Sequence, residues 1–312
     1  MDLTKHAPLN VTAGWESILE ATGRLRLETV ELPEYLPKQR WFAGKSREIK
    51  SVRIADWIPV GVPLNASSDA SQSALVLVQV EFDTRPPDLY FLPLAMSFGD
   101  AENELQQTAP NAIIAPVLSQ RGAGFLYDGA FDDRTCALLF SLIENASRIT
   151  VGRGNLRGIR GKAFLDLMAP AETTLQVRRN SAEQSNTSIL FGDRFILKLF
   201  RRQEPGLNPD AEIGQYLTEK TNFDRIPPFA GSIEVDGLAA IDGKLASLAM
   251  LQGLVANEGD GWKWTLEELA RYYETCASLP FPENFGGELQ GSLELSDNPP
   301  TQVARDHLGL YL

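Results

Sequence analysis

The chain has 312 residues, with 29 Lys and Arg against 41 Asp and Glu, a net charge of −12, 43% hydrophobic and 22% charged content. This suits a globular protein of about two domains. Such acidity argues against general binding to nucleic acid or to an anionic membrane, since both need clustered Lys and Arg. Cys136 and Cys276 are too few and too far apart for a disulfide framework or a zinc site, and are read as reduced thiols. His6 and His307 lie near opposite ends and have no metal-ligand partner at useful spacing. The opening MDLTKHAPLNVTAGWE has no apolar core of signal-peptide length. Runs such as ALVLV fall far short of the ~20 residues a membrane helix needs, so a cytoplasmic location is expected.

An amphipathic segment around Trp15 to Leu27 comes first, suited to cover a sheet. Strand-like segments follow, through Ile49, Val52, Ile54, Trp57 and Ile58, then ALVLVQVEF (74–82), then Leu89 to Leu94. The polar stretch GVPLNASSDASQS (61–73) reads as a flexible loop and DTRPPD (83–88) as a turn. Asp132 and Asp133 can cap a helix carrying Leu138, Leu139, Leu142 and Ile143. GRGNLRGIRG (152–161) reads as a surface loop with solvated arginines. Next come a strand (173–178), a polar loop (180–186), a strand (187–191), the turn Gly192-Asp193 and a strand (194–200). Asn208-Pro209 opens a helix with an apolar stripe of Ile213, Tyr216 and Leu217. Strands near 229–235 and 245–251 follow, then a helix from Thr265 that Pro280 ends, a loop over 283–300 and a last helical piece over 303–312.

Strand, polar loop, strand, turn, strand with a lysine, helix with a carboxylate, and two more strands is the order of the small lobe of a protein-kinase-like fold. Lys198 shares a strand face with Ile196 and Phe200, so it points where apolar groups point. An unpaired ammonium there would cost several kcal/mol, of order 5. It needs an anion, such as phosphate or the Glu212 carboxylate, or it must be an edge lysine that reaches out to water. Ser185, Asn186, Thr187 and Ser188 can close on a phosphate through hydroxyls, an amide and N–H groups, and they suit a plain polar hairpin loop equally well. No GxxxxGK[ST] occurs, which excludes a Walker-type loop.

NSAEQSNTSILFGDRFILKLFRRQEPGLNPDAEIGQYL (180–217) resembles the small-lobe signature of bacterial maltokinases, including those fused to trehalose synthases. LPKQRWFAGKSREI (36–49) resembles the opening motif of their N-terminal cap subdomain, and LAMLQGLVANEGDGWKWTLEEL (248–269) their hinge and the start of the large lobe. The resemblance implies an α+β, protein-kinase-like (aminoglycoside phosphotransferase-like) fold: a β-rich cap over 1–112, a small lobe and hinge over 113–255, and an incomplete helical large lobe over 256–312. It implies transfer of phosphate from ATP, with Mg²⁺, to the anomeric hydroxyl of maltose. It places Gln184 and Ser185 to Ser188 on the phosphates, Lys198 as their grip, Glu212 as the partner of Lys198, and the backbone of Gln252, Gly253 and Leu254 at the adenine. Arg40, Trp41, Gly44 and Lys45 mark the cap, with Trp41 and Phe42 as its core.

The chain departs from that family in one respect. It contains no His-Gly-Asp catalytic loop and no DFG-like metal triplet after the hinge, and His307 sits in RDHLGLYL. The expectation is a maltokinase front part, inactive alone, with its Mg²⁺ ligands in an absent lobe. Two alternatives stand beside it: a non-catalytic module that partners a trehalose synthase or another glucan enzyme, and a related small-molecule kinase with another acceptor.

Overall fold

A computed structural model describes residues 7–12, 14–61, 72–83, 85–151, 154–168, 175–180, 185–257, 259 and 261–278. Gln184, both histidines, the loop over 62–71, the 283–300 segment and the 303–312 segment therefore lie outside the described residues. Residues up to Val255 form one compact unit, and those from Ala256 a second.

The first unit holds two seven-stranded sheets. One is made of β1 (Leu9–Val11), β2 (Ile49–Gly61), β3 (Gln72–Phe82), β4 (Arg85–Phe98), β5 (Ile113–Ser119) and β6 (Gly122–Asp128), in the order β1-β5-β6-β4-β3-β2, with one further short strand on β4. This sheet runs past residue 112, the expected edge of the cap, because β5 and β6 pair with β1 and β4. The DTRPPD segment is only in part a turn: β4 begins at Arg85. Asp88 is a strand residue whose carboxylate accepts from Arg47 (2.5 Å), Arg202 (3.0 Å) and the Tyr90 hydroxyl (3.4 Å).

Period-2 alternation divides β3 between two cores. Ala74, Val76, Val78 and Val80 face one cluster, Leu75 and Leu77 the other. In β2 the register shifts between Ile54 and Asp56, and the bulge reverses the pleat. Val52 and Ile54 serve one core, Ile58 and Val60 the opposite one. The outer face is covered by helical turns, α1 (Glu16–Leu19), α2 (Ala21–Arg26) and α3 (Leu32–Tyr35), which bury Trp15, Ile18, Leu19, Leu27, Leu32 and Tyr35. A further helix, α4 (Asp100–Thr108), precedes β5.

The inner face meets α5 (Asp133–Glu144), whose N-cap Asp132 accepts from the Thr135 N–H at 2.8 Å. Leu139, Phe140, Leu142 and Ile143 of α5 join one cluster with residues of both sheets. The second sheet contains β7 (Arg148–Val151), β8 (Gly154–Arg160), β9 (Val177–Asn180), β10 (Asn186–Phe191) and β11 (Phe195–Phe200), with α6 (Phe164–Met168) between β8 and β9. Next in the chain come the short strand β12 (Arg202–Gln203), which pairs with β4, then α7 (Pro209–Lys220), β13 (Phe229–Asp236) and β14 (Ala246–Gly253). The order is β7-β8-β13-β14-β11-β10-β9.

The glycine- and arginine-rich stretch expected as a surface loop is β8, paired with β7 and β13. Its glycines are packing residues: a Cβ on Gly158 would overlap the Leu142 carbonyl of α5. The Gly192 turn is as the sequence predicts, with φ +59° in a hairpin that closes at Phe191 and Phe195. The apolar stripe of α7 is not its buried face. Ala211 is buried, whereas Ile213 is 57% exposed and Tyr216 60%. The second unit contains α8 (Gly261–Ser278), which starts four residues before the expected Thr265 and exposes Trp262, Trp264 and Tyr273. Among the described residues no helix is long and apolar enough to cross a membrane.

Gly158→Ala should lower the urea midpoint sharply, because helix and strand must part to admit a methyl group; an unchanged midpoint would refute this packing account. A second expectation concerns alkali. Burial pushes Cys136 up from 9.0 and Tyr90 up from 10.0, each to about 12. Both groups therefore stay protonated in the fold after the unfolded chain has released its protons. Stability should be intact below about pH 9 and fall between about pH 9 and 12. Urea midpoints compared at about pH 7 and about pH 10.5 check the sign.

Candidate functional site

Lys198 lies at the centre of β11, half-buried. In register with it are Ser188 on β10 and Met250 on β14, so the three side chains share a sheet face. Over this face runs α7, begun where the Asn208 side chain accepts from the Asp210 N–H at 3.0 Å and tied down by Ala211 packing with Phe200, Phe229 and Met250. Asp210, Ile213, Gly214 and Leu217, spaced as one helical face, line a cavity of ≈ 290 Å³ with Lys198 and Gln252.

The structure does not bring Glu212 to Lys198. Glu212 is exposed, does not line the cavity, and makes no ion pair with Lys198 among the described residues. Two positions along a helix turn a side chain by about 200°, so the face that presents Asp210 turns Glu212 away. The sequence reading missed Asp210; the signal available was its spacing to Gly214 and Leu217. At the strand end, the Gly253 N–H donates to Pro228 O (2.9 Å) and the Leu254 N–H to Arg194 O (2.8 Å). Two of the N–H groups in the 252–254 backbone expected at an adenine are thus engaged within the protein, and of that trio Gln252 lines the cavity.

Asn186, Thr187 and Ser188 sit elsewhere. They are strand residues of β10, with Ser185 just before it, and they line a second cavity of ≈ 320 Å³. Its other walls come from the cap, including Gln39, Arg40 and Trp41, and from Arg179 of β9. The cap motif is therefore partly core and partly cavity wall. Phe42 stacks near Tyr90 and Phe82, with centroids 5.0 and 6.4 Å away, and Gly44 packs against the Phe42 and Phe82 rings. Lys45 is exposed.

Behind this second cavity lies a residue that the sequence reading passed over. Arg201 and Asp128 are both 0% exposed and form an ion pair at 2.6 Å. Arg201 Nε donates to Thr187 Oγ1 at 2.7 Å, and its guanidinium lies 4.7 Å from the Trp41 ring. The Asp128 carboxylate also accepts from the Ala130 N–H (3.0 Å) and the Tyr35 hydroxyl (3.4 Å). An arginine directly after an apolar strand was the only sequence trace of this contact. Cys136, nearby, is a buried free thiol kept neutral by burial, so it supplies no nucleophile at neutral pH.

With this geometry in place, comparison with known proteins agrees with the cap. Residues 35–132 match the maltokinase N-terminal cap domain. The chain is also similar, at 14% identity and a TM-score of 0.38, to a glucosamine kinase in complex with glucosamine, ADP and inorganic phosphate. The match covers 72% of this chain and 40% of that one, so the chain spans less than half of that kinase's length. The chain thus carries a region similar to the maltokinase N-terminal cap, followed by a second seven-stranded sheet with Lys198 on one of its inner strands.

The Arg201–Asp128 pair yields a direct test. Arg201→Met leaves a buried carboxylate unpaired and should cost about 3–5 kcal/mol. Adding Asp128→Asn, which keeps the acceptor for Ala130, should recover most of that loss in chemical denaturation. A double variant no more stable than the single one would show that the charge pair is not the cause.

Proposed function

We propose that this chain belongs to an ATP-dependent, cytoplasmic maltokinase that phosphorylates the anomeric hydroxyl of maltose for α-glucan synthesis. One observation carries the reading: Lys198, centred on the small-lobe sheet beneath α7, opens into a cavity beside Asp210 and Gln252, in a protein whose cap matches that of maltokinases. A half-buried ammonium with no carboxylate bonded to it among the described residues suits a phosphate oxygen. The residues present fit a nucleotide in this sense: a cation on the cavity floor, the Gln252 amide at the strand end, and apolar Ile213, Leu217, Phe229 and Met250 around them. ATP would supply the transferable phosphoryl group, and Mg²⁺ would neutralise charge as it moves.

This chain's own part is to hold and orient. Lys198 takes the α- and β-phosphates. Ser188, its cross-strand neighbour, shares its sheet face, and Gln252 at the strand end borders the base. Asp210 occupies the place that the family resemblance gives to Glu212, and orients the lysine. The base for the sugar hydroxyl and the Mg²⁺ donors are not supplied by an identifiable motif in this sequence, so phosphoryl transfer by these residues alone is not expected.

A second reading is favoured by α8, which exposes Trp262, Trp264, Leu266, Leu269 and Tyr273. Such an apolar surface suits a docking module for a trehalose synthase or another glucan enzyme. A related small-molecule kinase with a different acceptor is the third possibility.

A coupled ADP-release assay on protein from the complete reading frame, with maltose, glucose and an aminoglycoside, separates these. Maltose-dependent turnover is expected. Lys198→Ala should lower it by at least about 100-fold without loss of fold, and Asp210→Asn should lower it more than Glu212→Gln. Wild-type turnover in Lys198→Ala would end the kinase assignment. The reverse order of the two carboxylates would return the pairing role to Glu212.

A further inference from the structure

The two faces of β10 serve different neighbours. Alternation puts Ser188 on the face of Lys198 and Met250, and Thr187 on the opposite one. Thr187 pairs with Leu199, and Arg201 follows two residues later, so all three side chains stand on one side of the hairpin. Thr187 accordingly does not line the cavity that holds Lys198. Its Oγ1 accepts instead from Arg201 Nε at 2.7 Å. The hydroxyl is thus turned away from the phosphate role that the family resemblance gives it.

The start of β10 needs such a hold. Its ladder with β11 runs from Phe191 back to Asn186, whereas its ladder with β9 stops where Ser188 meets Asn180. Among the described residues, Asn186 and Thr187 therefore have a strand on one side only. A strand end with one neighbour opens at little cost in free energy. Arg201 makes up for the missing strand. It is 0% exposed, and Asp128 of the cap sheet sets its position at 2.6 Å. Asp128 is fixed in turn by the Ala130 N–H and the Tyr35 hydroxyl. Hydrogen bonds thus run without a break from Tyr35, beneath the outer helical turns, through Asp128 and Arg201 to the residue beside Ser188.

We propose that Thr187 is a positioning residue: through Asp128 and Arg201 the cap holds the open end of β10 so that Ser188 and Lys198 keep the arrangement that receives the nucleotide. The cap then acts on nucleotide affinity without touching the nucleotide. This role rests on the kinase reading for its ligand, whereas the latch itself rests on the hydrogen bonds alone, so two measurements are paired.

Hydrogen exchange of the full chain without ligand reads the latch. Thr187→Val should speed exchange of the 186–188 amides by about tenfold, and Thr187→Ser, which keeps the hydroxyl, should exchange as the wild type does. Turnover of protein from the complete reading frame reads the positioning. Thr187→Val should raise the KM for ATP by about tenfold, as for loss of one hydrogen bond to a charged group. The KM for maltose should not move, and Thr187→Ser should restore the KM for ATP. In an Arg201→Met/Asp128→Asn background the latch is already gone, so Thr187→Val should raise the KM for ATP no further. A further rise there would make Thr187 a direct phosphate ligand and overturn the proposal. Unchanged exchange in Thr187→Val overturns it whatever turnover does. Faster exchange with an unchanged KM for ATP also overturns it, by reducing the hydrogen bond to a structural one. Wild-type turnover in Lys198→Ala overturns the kinase reading and the positioning role together, and is told apart from a failed latch because exchange still quickens in Thr187→Val.

Discussion

A buried ion pair joins the two sheets of this protein beside the apolar cluster they share. Arg201 follows directly on β11 of the small lobe, and Asp128 ends β6 of the cap. Neither sees solvent. Isolating either charge in the interior would cost several kcal/mol, on the order of 3–5, so the pairing penalises any arrangement that separates Arg201 from Asp128. The backbone takes part as well. The Arg201 carbonyl accepts from the Phe91 N–H at 2.7 Å, and the next two residues add a strand to the cap sheet as β12. The chain thus leaves the small lobe by crossing into the cap.

This constraint sets where the chemistry can sit. By fixing Thr187 through its hydroxyl and Trp41 through its ring, Arg201 places the start of β10 against the cap motif. The polar residues that a kinase reading assigns to one phosphate site are consequently divided. Lys198 and Gln252 open under α7, while Asn186 to Ser188 open toward Arg40 and Trp41.

Much of the architecture was legible in the residues. The Gly192 turn, the Asn208 and Asp132 caps and the apolar runs of β3, β13 and β14 are local devices whose physics acts within a few positions, and they appear where the sequence puts them. The side of β11 on which Lys198 stands followed from alternation alone. Other features escaped for equally physical reasons. The 152–161 stretch has loop composition, but its Gly158 serves a close helix–strand approach that exists only once α5 packs on β8. Ile213 and Tyr216 look like a buried stripe, and lie exposed because the sheet meets α7 through Ala211 instead.

Sequence alone determined strands such as β3, β13 and β14, the capped starts of α5 and α7, and the face on which Lys198 stands, because caps, turns and strand periodicity depend on near neighbours in the chain. Tertiary structure decided that Asp210 rather than Glu212 lines the cavity with Lys198, that Asn186 to Ser188 meet the cap, and that Arg201 is a buried anchor rather than a surface charge. Those outcomes depend on the rotation of α7 and on contacts 73 residues apart, as between Arg201 and Asp128. No periodicity encodes such contacts, because they arise only when two sheets, each complete in its own hydrogen bonding, are brought face to face.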